Sequence, residues 1–331
     1  MTARKIEKNS NPTTPLRRGF FLPKDLLGIR DLPKEIILRI LETAQQYKND
    51  LIPPHKKFDD LKGKTVMNLF FESSTRTRTS FEIAARRLSA DLITMTPQSS
   101  SLSKGESLKD MIENLEAMGP DIMVVRHDCS GLPGMIAKHT KAAVINAGDG
   151  SHEHPTQALL DLFTVQERLG KIAGAHLLIV GDIAYSRVVR SNIYGFKKLG
   201  AEVTCVGPAT LIPPGLETLG VRTGSNLDEV LPKADVVMLL RVQQERQEKM
   251  NFPSLAEYTH FFGLNRQRVA RMKKGSLIMH PGPINRGVEI DPEVADGLIK
   301  EKGAPQTVIL DQVTNGIAVR MAVLALWGGN R

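Results

Sequence analysis

Apolar runs of four to seven residues alternate along this chain with segments whose apolar residues recur at helical spacing. The runs have the length of buried strands, and helices are predicted between most of them. Such alternation predicts an α/β fold with two doubly wound parallel-sheet domains, covered by helices on both faces. The predicted strands are Thr65–Phe71, Leu92–Thr96, Ile122–Arg126, Ala143–Asn146, His176–Gly181, Glu202–Val206, Asp235–Leu240 and Ser276–Met279.

Helices are predicted at both ends of this alternation. One spans Asp31–Tyr47, with Pro33 near its start and an apolar stripe along it. The last spans Gln312–Trp327, and a Gly/Asp/His loop at 146–155 marks the predicted domain boundary. The last helix is predicted to carry its apolar residues on one side, namely Val313, Ile317, Ala318, Met321, Leu324 and Ala325.

The composition bounds the compartment and the size of the fold. The 331 residues, 41% of them hydrophobic, are enough for about two domains. Met1–Arg18 is polar and has no apolar core, which predicts a flexible leader rather than a secretory signal. Cys129 and Cys205 lack metal-type spacing, and we expect both to be buried, reduced thiols of a cytoplasmic protein.

The charge balance bears on the partners. A net charge of +8 can indicate nucleic-acid binding, but the cations are scattered and aromatic residues make up only 5%. Steering of small anionic substrates explains the charge at least as well. The longest apolar runs are far shorter than a membrane span. We therefore expect neither a nucleic-acid partner nor a membrane.

A hydroxyl-rich turn lies between the first predicted strand and a helical pattern. Such a turn offers unpaired backbone N–H groups and a partial positive charge, which suit a phosphate. Ser74, Thr75 and Thr77 add hydroxyl donors, and Arg76 adds a planar cation for bidentate binding of oxygen. The alternative is a well-capped helix with solvated arginines, although capping needs only one of the six hydroxyl groups here.

Arginines also follow three other predicted strands. Arg126 ends one strand, Arg187 follows Gly181 after the second, and Arg241 follows the third. The carboxyl ends of parallel strands border the crevice where such sheets bind ligands. Surface arginines or a charged loop are the alternatives. A dinucleotide site is disfavoured, because bulky residues stand where its second and third glycines belong.

The segment His152–Gln157 admits two interpretations. It precedes a helix predicted over Pro155–Arg168 and could simply form its capping turn. A metal site with Asp149, His152 and His154 is the other interpretation, but a third strong ligand at regular spacing is missing. We expect no metal.

The segment Ser74-Thr75-Arg76-Thr77-Arg78 resembles the carbamoyl-phosphate signature of the transcarbamoylases, the aspartate/ornithine carbamoyltransferase family. The resemblance recurs from about Phe21 to Trp327, and the surrounding residues favour the aspartate branch. It implies that the last helix returns to the first domain. The implied organisation is a leader over 1–18, a carbamoyl-phosphate-binding domain over 19–153 plus 309–331, and an aspartate-binding domain over 154–308.

The resemblance also implies roles for individual residues. Those implied to bind carbamoyl phosphate are Ser74, Thr75, Arg76, Thr77, Arg126, His154, Gln157, Gly282 and Pro283, of which Arg76, Thr77, Arg126 and His154 are implied to be catalytic. Those implied to bind aspartate are Lys104, Arg187, Arg241 and Gln243. In this scheme the histidine hydrogen-bonds the carbonyl oxygen, where negative charge grows in the transition state.

Three further features follow from the same resemblance. Lys104 and a serine near Ser101 lie in a polar loop, Gln98–Glu106, that would reach into the neighbouring subunit's site. Arg190 is expected to be structural. Tyr185 stands where many relatives have histidine, which changes local hydrogen bonding but leaves Arg187 in place.

The implied activity is transfer of the carbamoyl group from carbamoyl phosphate to the α-amine of L-aspartate, an early step of pyrimidine biosynthesis. It would need no cofactor, and a homotrimer with shared sites is implied. A regulatory chain or a dihydroorotase partner remains open. The alternatives are a transcarbamoylase for another acceptor such as ornithine, or a catalytically silent scaffold subunit. An ornithine site should place an acidic group near the side-chain ammonium, with a cysteine in the loop before the last strand-end turn. Here that turn reads His280-Pro281-Gly282-Pro283 and has no cysteine.

Overall fold

Two parallel sheets lie side by side, and the strands of each alternate with helices. The structure, a computed structural model, describes residues 21–50, 56–96, 106–243 and 254–329. The first sheet has the order β2-β1-β3-β4 and the second β10-β9-β8-β5-β6-β7, and all their pairings are parallel. The strands are β1 Thr65–Phe70, β2 Asp91–Met95, β3 Ile122–His127, β4 Ala143–Asp149, β5 His176–Val180, β6 Glu202–Val206, β7 Arg222–Gly224, β8 Val236–Leu239, β9 Leu277–Met279 and β10 Gln306–Thr307.

The eight predicted strands are all present, and their ends either match the prediction or differ from it by one to three residues. Two edge strands, β7 and β10, were not predicted, because they have only three and two residues and no apolar run. The helices are α1 Lys34–Asp50, α2 Thr75–Arg87, α3 Leu108–Ala117, α4 Leu132–Ile136, α5 Pro155–Leu169, α6 Arg187–Lys198, α7 Leu227–Val230, α8 Leu255–Phe262, α9 Arg266–Arg271, α10 Pro292–Ala295 and α11 Ile309–Gly328.

Helix α1 begins and ends three residues later than predicted. Its start follows Pro33, whose carbonyl accepts the first helical N–H groups, from Ile36 and Ile37. The predicted one-sided stripe of α11 is wrong. Val313 is 50% exposed, whereas the helix is buried on nearly every side from Ala318 to Gly328.

Helix α11 packs against α1, α2 and α5, so the C-terminal helix does return to the first domain. By length and composition α11 could cross a membrane, but 72% of its most apolar window is buried inside the fold. One hydrophobic cluster runs from the first sheet through these helices to the second sheet. Two smaller clusters cover the outer faces of the two sheets. The sheets therefore share a continuous core.

Helix α5 contacts α1 and α11 on one side and α6 on the other. The domain bounds at 153/154 and 308/309 thus stay predictions. The leader, Met1–Arg18, lies outside the described residues. Cys205 is buried as predicted, but the prediction for Cys129 is wrong, since it is exposed in the loop that follows β3.

Candidate active site between the two sheets

The turn after β1 forms the amino end of α2, with Ser74 as the N-cap residue. Its side chain accepts no capping hydrogen bond from the first turn of the described helix, and that turn contains no acidic residue. The hydroxyl group is therefore not consumed by capping, which disfavours the interpretation of this turn as merely a capped helix start. The backbone N–H groups at this end and the helix dipole suit an anion.

Arg76 reaches from this turn to the second domain. The guanidinium carbon lies 2.7 Å from where a β-carbon on Gly282 would stand, and Gly282 has a φ of 67°. Only glycine fits such close contact in this left-handed conformation. Burial and the nearby charge of Arg241 lower the pKa of Arg76. The turn at the start of α2 thus meets two parts of the second domain, the turn at Gly282 and Arg241.

Arg126 and Arg187 approach each other across the cleft and share Glu72. Arg187 Nη2 donates to both carboxylate oxygens of Glu72, at 2.7 and 2.6 Å, and Arg126 Nη2 donates to Oε1 at 3.2 Å. Arg126 Nη1 also donates to the Ala147 carbonyl at 3.1 Å. Burial, and next the charge of Arg187, lower the pKa of Arg126 to about 10, so it stays charged at neutral pH. Arg126 and Arg187 thus bind one carboxylate together, that of Glu72.

His154 caps the amino end of α5 and is buried. Its backbone N–H donates to Ser191 Oγ at 2.9 Å, while Nδ1 of its ring has no partner among the described residues. Burial lowers the pKa of His154 well below its usual value, and the charges of Arg126, Arg320 and Arg187 lower it further. The ring is therefore neutral at physiological pH and carries one N–H donor.

Asp182 fixes the backbone around the predicted aspartate-binding residues. Its carboxylate accepts the Tyr185 N–H and the Gln243 N–H, both at 3.1 Å. These bonds link the turn after β5 to the segment after β8 that carries Arg241. Arg190 points elsewhere and donates to the carbonyl of Ser151, as expected for a structural residue.

A cleft of about 400 Å³ lies between the two sheets. Lys104 and Ser101 lie outside the described residues. The predicted site residues that line the cleft are Ser74, Thr75, Arg76, Thr77, Arg126, His154, Gln157, Arg187, Arg241, Gln243, Gly282 and Pro283. Residues from distant parts of the sequence are thus brought within reach of one small molecule.

Three site residues were missed from sequence. Arg320 on α11 is buried and donates to Ser80 Oγ at 2.9 Å. Glu72 bridges Arg126 and Arg187. Asp161 lies behind Gln157. Burial lowers the pKa of Arg320 to about 9, and the charges of Arg126 and Arg76 add to the effect. An arginine inside an otherwise apolar helical stretch was a usable signal for Arg320.

The metal interpretation of the Asp149 loop finds no support in the geometry. Asp149 accepts N–H groups from Gly131, Asn146 and Glu153, and its Oδ2 lies 2.9 Å from His152 Nδ1. His154 faces the cleft instead. Within the described ranges no group of three or more His, Cys, Asp or Glu side chains could hold a metal ion.

Comparison with known proteins agrees with this geometry. Residues 24–167 match the carbamoyl-phosphate-binding domain of aspartate/ornithine carbamoyltransferase, and residues 173–327 match the aspartate/ornithine-binding domain of the same family. The aspartate carbamoyltransferase catalytic subunit of Syntrophobacter fumaroxidans is 56% identical over 93% of this chain and 99% of its own length.

Solved structures give the same result. Aspartate transcarbamoylase from Trypanosoma cruzi, in complex with N-(phosphonacetyl)-L-aspartic acid, superposes with a TM-score of 0.81 at 28% identity, over 92% of this chain and 95% of that one. Ornithine carbamoyltransferase from Pyrococcus furiosus superposes with a TM-score of 0.80 at 29% identity, over 93% and 97%. The chain therefore belongs to the aspartate/ornithine carbamoyltransferase family.

Proposed function

We propose that this protein transfers the carbamoyl group of carbamoyl phosphate to the α-amine of L-aspartate, giving N-carbamoyl-L-aspartate and phosphate. The observation that carries this proposal is the charge of the cleft. Of the described residues that line it, five are arginines and Glu72 is the one acidic side chain. A phosphate and two carboxylates would balance that charge, and leaving it unpaired would be costly.

Carbamoyl phosphate binds at the turn that begins α2. Its phosphate accepts from the backbone N–H groups and hydroxyl groups of Ser74, Thr75 and Thr77, and from Arg76. Its carbonyl oxygen is polarised by Arg126, Thr77 and the neutral His154. Negative charge grows on this oxygen as the tetrahedral intermediate forms, so fixed donors lower the barrier.

Aspartate binds next to it, on the side of the second sheet. Arg187 binds the α-carboxylate. Its guanidinium is already placed to bind a carboxylate, because it donates to both oxygens of Glu72. Arg241 and Gln243 take the side-chain carboxylate. The neutral α-amine attacks the carbonyl carbon, and the departing phosphate, stabilised by Arg76, can accept the amine proton. Orientation and electrostatics supply the rate.

Ornithine is the runner-up acceptor, and the fold does not separate the two, because both kinds of enzyme superpose on it. The cleft does favour aspartate. Among the described residues that line it, Glu72 is the one acidic side chain and is engaged by Arg126 and Arg187. Arg241 is cationic where an ornithine ammonium would need an acid. A silent scaffold subunit is disfavoured because every predicted polar position within the described residues lines the cleft.

The assembly and compartment belong to the same proposal. We place the enzyme in the cytoplasm, in pyrimidine biosynthesis, as a homotrimer in which Lys104 of one subunit completes the site of its neighbour. Two cysteines without a disulfide are typical of that compartment.

Replacing Arg241 tests the acceptor. Arg241→Ala should raise the KM for aspartate about tenfold or more, because the side-chain carboxylate loses a charged partner. The KM for carbamoyl phosphate should change far less. Released phosphate is measured with carbamoyl phosphate and a panel of amino acids. Arg222→Ala, at an exposed arginine of the same domain, is the control. Preference of the wild-type enzyme for ornithine would contradict the proposal.

A further inference from the structure

A buried carboxylate lies directly behind the cleft, one helical turn beyond Gln157. Asp161 is 0% exposed, and its carboxylate accepts hydrogen bonds from three side-chain amides. Gln157 Nε2 and Gln312 Nε2 donate to Oδ1 at 2.9 and 2.8 Å, and Asn192 Nδ2 donates to Oδ2 at 2.9 Å. Gln157 and Gln312 line the cleft, whereas Asp161 and Asn192 do not.

Backbone groups fix the orientation of two of these amides. Gln312 Oε1 accepts the backbone N–H of His280 at 2.9 Å, so its nitrogen must face Asp161. Asn192 Nδ2 also donates to the carbonyl of Val188 at 3.1 Å, so it too presents N–H groups. A backbone N–H can only donate and a carbonyl can only accept. Asp161 is therefore the acceptor for both.

The orientation of the third amide, that of Gln157, follows from the orientations of the other two. An acceptor at Asp161 attracts the Nε2 end, which leaves the carbonyl oxygen of the same amide for the cleft. With the opposite orientation, N–H groups would face the cleft instead. The carbamoyl group carries an amino group that can only donate, so only the observed orientation offers it an acceptor.

Gln312 extends the influence of Asp161 to a second group of acceptors. Its hydrogen bond to His280 N holds the start of the turn at 280–283, which lines the cleft. Backbone carbonyls can only accept, so those of this turn suit a substrate amino group. The same turn is fixed from behind, since His280 Nδ1 accepts the Gly282 N–H at 2.8 Å and Nε2 donates to Glu289 at 3.0 Å. Asp161 is thus hydrogen-bonded to Gln157, whose side-chain oxygen is one acceptor, and through Gln312 to the 280–283 turn, whose carbonyls are the others.

We propose that Asp161 is a positioning residue that makes the cleft selective for an amino group on the transferred acyl carbon. It acts by turning the Gln157 carbonyl oxygen toward the donor substrate and by holding the 280–283 turn through Gln312. This inference rests on the proposed function, because it concerns the carbamoyl amino group. It adds a selectivity for carbamoyl phosphate over an acyl phosphate of the same shape, such as acetyl phosphate.

The burial of Asp161 supports a functional role. Burial raises the pKa of this carboxyl to about 7, although the three amides and Arg320 favour its charged form. A buried acid destabilises a fold compared with a well-packed apolar residue, so its presence needs another reason. Orientation of amides that line the site is such a reason.

The test compares two donors that differ by a methyl and an amino group. The ratio of kcat/KM for carbamoyl phosphate to that for acetyl phosphate should fall about tenfold or more in Asp161→Ala, as expected when a substrate N–H loses its acceptor. Asp161→Asn keeps a carbonyl oxygen for Gln157 and should hold the ratio within about threefold of wild type. Inhibition by inorganic phosphate, which lacks the amide, should change little in either variant.

Thr164→Val is the matched control, because Thr164 is a buried polar residue one turn further along α5. A folded Asp161→Ala enzyme with the wild-type ratio would overturn the inference, as would an equal fall in Asp161→Asn. If Asp161→Ala does not fold, Gln312→Leu should raise the KM for carbamoyl phosphate without changing phosphate inhibition, and an unchanged KM would overturn the inference. Wild-type enzyme that forms no N-carbamoylaspartate would instead contradict the proposed function.

Discussion

Burial and charge act together on the arginines of the cleft. Arg76, Arg126 and Arg320 all have lowered pKa values, mainly because burial disfavours the charged form and partly because other arginines are close. They nevertheless stay charged at neutral pH. A site that holds such mutually repelling cations binds a dianion with little reorganisation, which is the property that electrostatic catalysis requires.

Arg76 should contribute mainly to kcat. We expect Arg76→Ala to lower kcat by about 10²–10⁴, because the departing phosphate loses its bidentate cation while the fold is unaffected. Phosphate release is the assay, and circular dichroism reports folding. Arg86→Ala, at an exposed position near the end of the same helix, is the control. Near-normal turnover of Arg76→Ala would remove Arg76 from the phosphate site.

The neutral state of His154 should appear in the pH dependence of stability. Its pKa is lowered on folding by burial and by Arg126, Arg320 and Arg187. Below about pH 6.5 the unfolded chain therefore binds a proton that the folded protein does not. The free energy of unfolding then decreases as the pH is lowered, by at most about 1.4 kcal/mol per pH unit. Above that pH the contribution is constant.

Denaturant unfolding of wild type and His154→Gln from about pH 5 to pH 8 measures this contribution. The wild type should lose more stability than the variant as the pH falls, because glutamine does not titrate. Parallel curves for the two proteins would mean that His154 keeps its usual pKa in the folded state.

At the scale of elements, the site depends on the turn between β9 and α10. Gly282 has a φ of 67°, and a β-carbon there would lie 2.7 Å from Arg76 Nη1. Gly287, in the same connection, has a φ of 80° but nothing within 4 Å of its β-carbon position. The two glycines share a left-handed backbone conformation and differ in contact with the site.

This difference makes a matched pair of variants. Gly282→Ala and Gly287→Ala should each lose about 1–2 kcal/mol of stability, because alanine is disfavoured in the left-handed region. Only Gly282→Ala should also raise the KM for carbamoyl phosphate, since its methyl group displaces Arg76. Chemical denaturation and steady-state kinetics separate the two effects. Equal KM values in both variants would show that the turn does not position Arg76.

At the scale of the whole molecule, the cleft lies between two sheets that share one hydrophobic core. Helices α5 and α11 contact elements of both domains, so the two sides of the site are held by the same packing. Arg320 on α11 and His154 at the start of α5 place charged and polar groups at this junction. The site is therefore a product of domain packing, and Lys104 would extend it across a subunit boundary.

Mixing inactive subunits tests that extension. Arg76→Ala and Lys104→Ala subunits, each inactive alone, should regain activity when mixed, because about one quarter of sites in random trimers combine the two intact residues. Activity is measured after joint refolding, with each variant refolded alone as the control. A complete lack of recovery would count against shared sites.

Much of the fold could be predicted from local pattern. Apolar runs identified eight strands, because a buried parallel strand must be apolar on both faces. β7 and β10 were missed because such short edge strands carry too little apolar sequence. The buried surroundings of α11 were missed because α1, α2 and α5 all pack against it, and sequence periodicity shows only one face.

The chemistry available at each strand end can be read from the sequence, since hydroxyl groups, arginines and the His154–Gln157 segment are visible as residue types beside apolar runs. Which of these groups meet depends on the packing of the whole chain. Glu72, Asp161 and Arg320 act through partners distant in sequence, and their meaning depends on burial and on hydrogen bonds that form when the two sheets pack together. Local sequence carries no record of such distances, because they arise from the folding of the whole chain.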